Sequence, residues 1–585
     1  RMTAVKSVLI ANRGEIAVRV IRSAQDLGIH TIAVYSELDR NALHVNLADE
    51  AWNIGPAPSA ESYLNIPRII EVAKESGAEA IHPGYGFLAE NAIFAKAVSD
   101  AGLIWVGPSP EAIITMGDKI ASRVAADRAG VASVPGTIEP LTNVDEVRAF
   151  AEAHGFPVAI KAAHGGGGKG LKVVYEPGDL DPAFESARRE AEAWFSNPEV
   201  YVERYLDTPR HIEAQVIFDQ HGNGVFLGER DCSLQRRHQK LVEETPAPGF
   251  TDAQRTKLGD AALAVARSTD YVNAGTVEFL MDTEGDLYFL EMNTRIQVEH
   301  TITEENTGVD LVAEQLRVAA GEPLSFESVD RRGHVIEFRI NAENPSAGFL
   351  PTPGKLSTYR EPSGPWVRVD SGVTQGARIS QYYDNLIAKL IVRGRDRDEA
   401  IRRSIRALRE FRIEGVETTI PAHLRILEGS DFASGIVHTR LVEDSMDFSD
   451  LAGATAPALP EDEELQERNI TVEVGGRRFE VKYWSQVIAS TGSGQRPAPR
   501  RKAPKLGKQN ASSEGEGVVI SPMQGTIVKV HHAAGEAVRA DEPVCVLEAM
   551  KMENELTAPI DGEIVDLRVQ PGDTVSPGAV LMIIR

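Results

Sequence analysis

The sequence predicts a multidomain chain of α/β and α+β architecture that ends in a small all-β domain. Three observations predict it. Short apolar runs alternate with helical patterns over residues 7–110, β-rich patterns from 119 to 325 surround a glycine run and a carboxylate-bearing hairpin, and residues 514–585 contain an internal repeat. At 585 residues, 42% of them apolar, the chain can bury several cores, because single cores stop growing at about 250–300 residues.

The N-terminal elements are Val8-Leu9-Ile10, a helix from Glu15, Ile29 to Tyr35, Ala80-Ile81-His82 and Ile104-Trp105-Val106. Strands separated by helical patterns read as a doubly wound layer, which we bound at 1–118. A second domain is expected over 119–328 and a mixed α+β domain over 329–450. Composition shifts over 451–513, where an Ala/Pro stretch, the acidic run Pro460 to Glu464 and the basic Pro-rich run Gln495 to Lys505 mark a linker. Inside it, Ile470 to Val474 and Arg477 to Val481 flank Gly475-Gly476, a two-residue turn that predicts a small β docking element. In the final domain, 514–585, Gly525-Thr526-Ile527-Val528 and Gly535-Glu536-Ala537-Val538 recur 37 residues later as Gly562-Glu563-Ile564-Val565 and Gly572-Asp573-Thr574-Val575. Two similar β-halves imply pseudo-symmetry.

A net charge of -24 repels nucleic acid and anionic membrane surfaces, so neither is expected as a partner. The two cysteines, Cys232 and Cys545, fall in different predicted domains and form neither a disulfide framework nor a CxxC pair. With no apolar leader after Arg1-Met2-Thr3-Ala4-Val5-Lys6 and no long apolar window, a cytoplasmic protein is expected.

The most informative segment is Val277-Glu278-Phe279-Leu280-Met281, a turn over Asp282 to Asp286, then Leu287 to Asn293. Symmetry about the turn sets Glu278 opposite Glu291. Like charges directly opposed on a sheet are destabilising, and no basic residue lies across the hairpin, so a divalent cation between them is the better explanation; carboxylate oxygens are what Mg²⁺ prefers. Asn293 adds a neutral oxygen. The pattern continues as Arg295, Gln297 and Glu299, polar at every second residue, which predicts an extended polar stripe. Upstream, the run Gly165 to Gly168 follows the apolar strand Pro157 to Ile160 and is flanked by Lys161 and Lys169. Consecutive glycines let backbone N–H groups approach phosphate oxygens. The run matches neither Walker A nor GxGxxG spacing; beside a two-carboxylate metal hairpin it points to ATP.

These segments resemble the biotin carboxylase branch of the ATP-grasp superfamily over residues 5–445. The matching runs are Ala11 to Ile16, His82 to Asn91, Met116 to Lys119, Glu229 to Lys240 and Glu291 to His300. The resemblance implies that ATP is held by Lys119, Lys161, Gly167, Gly168, Glu203, Arg204, Tyr205, Leu206, His211, Gln235 and His238, together with Glu278 and Glu291. It implies Mg²⁺ or Mn²⁺ on Glu278, Glu291 and Asn293, and bicarbonate on Lys240, Arg295, Gln297 and the Val298 backbone. Glu299 would be the base, and Arg339 would stabilise the biotin enolate. His164 and Thr419 depart from the family pattern and, lying outside the proposed catalytic groups, are discounted. Cys232, inside a catalytic run, is expected to be a buried structural thiol, since this chemistry needs no nucleophilic sulfur.

Glu548-Ala549-Met550-Lys551-Met552-Glu553 falls between the two β-halves and resembles the biotinyl carrier motif, which makes Lys551 the site of covalent biotin, attached by a biotin protein ligase. A lipoyl carrier shares that fold, but its lysine usually follows an Asp, and lipoate has no use for an ATP and bicarbonate site. No segment is long enough for a carboxyltransferase, so the resemblance implies a separate β subunit and an oligomeric α/β complex. The expected protein is the α subunit of an acetyl-, propionyl- or longer acyl-CoA carboxylase. Two alternatives are a methylcrotonyl- or geranyl-CoA carboxylase α chain, and a carrier or scaffold subunit with a degenerate ATP site.

Overall fold

The computed structural model describes residues 5–137, 139–162, 171–195, 198–451, 465–474, 477–486, 517–522, 525–549, 552–575 and 578–585. Two compact units divide it, Arg1–Ala454 and Thr455–Arg585.

The first unit begins with a five-stranded parallel sheet. Its spatial order is Glu50–Gly55, His30–Ser36, Ser7–Ile10, Ala80–His82 and Ile104–Trp105. Four of these strands match the predicted apolar runs. Glu50–Gly55, with its mixed Glu-Ala-Trp-Asn-Ile-Gly sequence, carries no such signal and forms by pairing with the edge of His30–Ser36. The helix Gly14–Asp26 packs on the sheet because Ile16, Val20 and Ala24 repeat at four-residue spacing and are all buried.

An eight-stranded antiparallel sheet forms the centre. Its order is Leu287–Asn293, Asn273–Met281, Arg210–Phe218, Gly224–Arg236, Gln239–Thr245, His334–Asn341, Leu386–Gly394 and Val367–Ser371. It runs continuously through the sequence position near 328 where a domain boundary is expected. One face is covered by helix Asp252–Arg267, whose Leu258, Ala262 and Val265 join Ile212, Ala214, Val277 and Phe279 in an apolar core. A smaller three-stranded sheet, Leu171–Val174, Val158–Ala162 and Val200–Arg204, carries helices Val144–His154 and Leu180–Phe195 over its own core. Among the described residues no helix is long and apolar enough to cross a membrane.

In the second unit, Leu465–Val474 and Arg477–Gln486 pair as a hairpin in which Val474 faces Arg477. The strands extend the predicted docking element by five residues at each outer end. The C-terminal part is two four-stranded sheets that repeat one another. Gly525–Val530 corresponds to Gly562–Leu567, and Ala537–Val538 to Thr574–Val575. The buried residues Ile527, Val538, Val544 and Leu547 return 37 positions later as Ile564, Val575, Leu581 and Ile584. Hydrophobic periodicity therefore encodes both halves of this core.

Two segments of the first unit that are distant in sequence meet at Gly372, where a Cβ would lie 2.6 Å from the Glu15 amide nitrogen and 3.0 Å from the Gly14 carbonyl carbon. Backbone atoms cannot swing aside as a side-chain tip can. Gly372→Ala is expected to destabilise the chain by about 1–3 kcal/mol, read as a lower thermal midpoint; an unchanged midpoint would contradict this close approach.

Candidate active site

The central sheet carries the predicted carboxylate hairpin. Glu278 and Glu291 are register partners, and a bulge follows between Glu278 and Phe279. No basic residue lies across the hairpin, as expected, but Glu278 meets cationic side chains that arrive from neighbouring elements. Glu278 Oε2 is 2.9 Å from His211 Nε2 on the adjacent strand, and Oε1 is 3.1 Å from Lys240 Nζ. Asn293 and Gln297 donate to Oε1 at 2.9 and 2.7 Å. Burial alone would raise the Glu278 pKa, but the Lys240 and His211 charges hold it well below the usual range. Glu291 is exposed on that strand, and partial burial and the Glu278 charge raise its pKa.

Lys240 is the hub. Besides Glu278 it reaches Glu213 at 2.8 Å and Glu299 at 2.6 Å. Burial opposes its charge, yet three carboxylates push its pKa well above the ordinary lysine value. Glu299 is also clamped by Arg339 at 2.9 Å, and the second arm of Arg339 reaches Glu243 at 2.6 Å. Burial would raise the Glu299 pKa; Lys240, Arg339 and Arg230 overcome it and hold the carboxylate ionised. Burial moves Glu243 the other way, to about 7, with Arg339 only partly offsetting it.

Arg230 lies beneath this layer with no solvent exposure. Its guanidinium donates to Glu213 at 2.6 Å, Gln215 at 2.6 Å, Thr303 at 3.0 Å, Thr276 at 3.1 Å and Gln297 at 2.6 Å. All five guanidinium hydrogens are thereby accounted for. Cys232 is buried, its Sγ 4.0 Å from Glu299, and burial pushes its pKa well up, as expected of an inert thiol.

The polar stripe past Asn293 is corrected in form. The strand ends at Asn293 and the chain turns before helix His300–Thr307, so Arg295, Gln297 and Glu299 are gathered by a loop rather than by strand alternation. The site benefits, because Gln297 and Glu299 fold back over Lys240 while Arg295 reaches sideways to Glu90 at 2.9 Å and Asn293 at 3.0 Å. Gln235 pairs with Lys240 in the hairpin register. His238, at the exposed tip, has a φ of 64°.

The remaining ATP candidates lie apart from this hub. Lys161 pairs with Glu203, which is also 3.7 Å from Arg123. Arg204 donates to the Tyr288 hydroxyl at 2.8 Å and lies 3.5 Å from Asp282. Tyr205 stacks edge-on against Tyr175, and Leu206 is buried. Lys119 is exposed at the start of the helix Lys119–Arg128, which Asp118 caps. Gly167, Gly168 and Lys551 lie outside the described residues, as does His164; Ala549 pairs with Met552 in the hairpin that flanks Lys551.

Sequence reasoning missed Glu213, Arg230, Glu243 and Lys389. Glu213 stands two residues after His211 on one strand face, so period-two spacing carried a usable signal for it, and for Arg230 the signal was its place inside a recognised run. Thr419 is also corrected. Its hydroxyl donates to the Arg339 carbonyl at 2.7 Å and accepts from the Asn341 amide at 3.0 Å, so it steadies the strand that presents Arg339.

Four family models match the chain in order. They are the biotin carboxylase N-terminal domain over residues 4–113, the carbamoyl-phosphate synthase L chain ATP binding domain over 118–327, the biotin carboxylase C-terminal domain over 337–444 and the biotin-requiring enzyme model over 517–584. Fold and site together define an ATP-grasp biotin carboxylase joined to a biotin carrier domain. The chain is 50% identical over 591 residues to the biotin-dependent acyl-coenzyme A carboxylase alpha3 subunit of Mycobacterium leprae, covering 99% of each chain. It is 40% identical to the mouse mitochondrial methylcrotonoyl-CoA carboxylase subunit alpha, over 96% of this chain and 90% of that one. The biotin carboxylase domain dimer of Hydrogenobacter thermophilus 2-oxoglutarate carboxylase, solved with magnesium ADP and bicarbonate, matches 75% of this chain and 98% of its own with a TM-score of 0.69 and 46% identity. The chain belongs to the family of biotin-dependent acyl-CoA carboxylase alpha subunits. It is accordingly an ATP-dependent ligase component with biotin as its covalent cofactor.

His423 Nε2 lies 2.8 Å from the Arg339 carbonyl, and burial lowers its pKa from 6.5 to about 4. An unfolded chain therefore binds this proton first, so the contribution of neutral His423 is complete above pH 6.5 and is lost as pH falls toward 4. The thermal-midpoint deficit of His423→Gln relative to wild type should shrink between pH 7 and pH 5; a constant deficit would contradict the assignment.

Proposed function

We propose that Lys240, Arg295, Gln297 and the Val298 amide hold bicarbonate while Glu299 removes its proton, and that the oxyanion so formed attacks the γ-phosphate of ATP. The new bond joins a bicarbonate oxygen to phosphorus, the bond to ADP breaks, and carboxyphosphate results. The observation that carries this reading is the double clamp on Glu299. Lys240 and Arg339 suppress its basicity while the site is at rest. Bicarbonate and phosphate oxygens compete for the same cations, and as they draw the ammonium and guanidinium away, Glu299 becomes a stronger base. Proton removal is thus coupled to filling of the site.

Lys119, Lys161, Gly167, Gly168, Glu203 to Leu206, His211, Gln235 and His238 are assigned to ATP. Glu278, Glu291 and Asn293 suit Mg²⁺ or Mn²⁺: their donors are hard oxygens, and Glu278 and Glu291 are register partners whose like charges a cation would relieve. When bound, the metal neutralises charge on the phosphates. Arg339 supplies positive charge for the oxyanion that develops on the acceptor. Biotin on Lys551, attached by a biotin protein ligase, provides the nitrogen that accepts the carboxyl group.

The same reading divides the chain into 1–118, 119–328, 329–450, the linker 451–513 and the carrier 514–585. It pairs the chain with a carboxyltransferase β subunit in an oligomeric, cytoplasmic complex acting on an acetyl-, propionyl- or longer acyl-CoA. The likeness to a methylcrotonoyl-CoA carboxylase alpha subunit supports that acyl group as a second reading. A degenerate scaffold is disfavoured by the complete lattice of Lys240, Glu213, Glu278, Glu299, Arg230 and Arg339.

Bicarbonate-dependent ADP release with free biotin tests the proposal. Glu299→Gln should lower turnover by about a hundred- to ten-thousand-fold, and wild-type-like turnover in that variant would refute the assigned base. Intact mass should show one biotin per chain after co-expression with a biotin ligase, and Lys551→Ala should lose it; retention of the increment would move the attachment site.

A further inference from the structure

The run Ala11 to Ile16 holds no group assigned above to substrate, yet it projects Glu15 into the interior beside a fully buried ammonium. Lys389 Nζ lies 3.3 Å from Glu15 Oε2 and donates to the Val298 carbonyl at 2.8 Å. Both side chains are buried. On its strand Lys389 is directly opposite Arg339 on one side and Asp370 on the other, so the three share a sheet face. Arg339 is committed to Glu243 and Glu299, and Asp370 to Arg368 at 2.8 Å through both oxygens. Among the described residues, Glu15 is therefore the closest carboxylate to the Lys389 ammonium.

We propose that Glu15 and Lys389 form a positioning pair for bicarbonate, fixing the Val298–Glu299 peptide plane and so the direction of the anion-binding loop. The inference rests on the assignment of Val298 and Glu299 made above. Two adjacent planes are held from below. His300 Nδ1 lies 2.7 Å from the Gln297 carbonyl, and Lys389 holds the Val298 carbonyl. In a trans peptide the carbonyl and the next N–H point in opposite directions. Fixing the Gln297 carbonyl therefore aims the Val298 amide away from His300, and fixing the Val298 carbonyl sets the plane from which Glu299 departs. With both planes set, the amide and the base have one relative orientation.

The chemistry suits the task. Burial, and after it the Lys389 charge, lowers the His300 pKa well below its ordinary value. The ring is neutral and Nδ1 carries the proton donated to Gln297. Burial raises the Glu15 carboxyl to about 7 in spite of Lys389, so the pair is costly as a mere structural filler; an apolar pair of equal volume would avoid that desolvation. An ammonium is required here because the Val298 carbonyl needs a donor, and Glu15 keeps that donor in place. Gly372, in contact with the backbone of Gly14 and Glu15, lets the helix start approach closely enough for Glu15 to reach.

The test uses the full-length biotinylated chain, with ADP release measured as bicarbonate and ATP are varied separately. Lys389→Met should raise the bicarbonate KM about tenfold, the loss expected when one buried hydrogen-bond donor is removed, while the ATP KM stays within about twofold. Lys389→Arg, which keeps a donor, should recover part of that rise. Glu15→Gln should raise the bicarbonate KM in the same direction by about threefold, and it carries the test if Lys389→Met does not fold. A bicarbonate KM unchanged in Glu15→Gln and in folded Lys389→Met overturns the proposal, as does an equal rise in both KM values with a fall in thermal midpoint. A wild-type chain with no bicarbonate-dependent ADP release removes the parent assignment itself, an outcome distinct from a KM that fails to move in the variants.

Discussion

The centre of the first unit is arranged around the cost of removing charges from water. Lys240, Arg230 and Arg339 are surrounded by Glu213, Glu243, Glu278 and Glu299, and no member of this set is stable in the interior without the others. An isolated buried ion costs several kcal/mol even after relaxation, so the lattice stands or falls as a unit. The continuous antiparallel sheet from Leu287–Asn293 to Val367–Ser371 is what assembles it. Adjacent strands present side chains on one face at fixed spacing, which brings Glu213, Glu278, Lys240 and Arg339 together from four strands without a loop carrying any of them.

Glu299 is the exception and for that reason the informative member. It comes from the turn after the hairpin, where strand alternation no longer dictates direction, and it needs external supports to face Lys240. Those supports are the His300 ring, the Lys389 ammonium and the start of helix His300–Thr307. The helix Gly14–Asp26 contributes through Glu15, so residues nearly 300 positions apart in sequence converge on one peptide plane.

Much of this was legible in the sequence, and the legible part follows a rule. Glu278 opposite Glu291 could be read from symmetry about the turn at Asp282 to Asp286, because hairpin register is a local property. The carrier repeat was legible for the same reason: a 37-residue period places Ile527 and Ile564 in equivalent interiors. Long-range partners were not legible. Nothing near Glu278 in sequence announces that Lys240 and His211 will neutralise it, since sheet order, not proximity along the chain, brings them in. The strand Glu50–Gly55 escaped detection because its residues are neither apolar nor alternating, and its existence depends on the edge it joins. Thr419 was discounted because it lies outside the proposed catalytic groups, whereas the fold uses its hydroxyl to fasten the Arg339 backbone.

In the proposed reading, the resting charge lattice also accounts for restraint. ATP alone brings phosphate oxygens that can draw on Lys240, but Arg339 remains on Glu299 and Arg295 on Glu90 and Asn293. Bicarbonate alone brings a single negative charge against a site whose cations are already matched. Each substrate therefore meets a lattice that it can only partly reorganise. Both together supply enough negative charge to release Glu299 from its cations, and the geometry then requires the proton to be taken from the anion bound beside it. In that reading, coupling of ATP cleavage to carboxylation follows from charge matching around the buried Glu299.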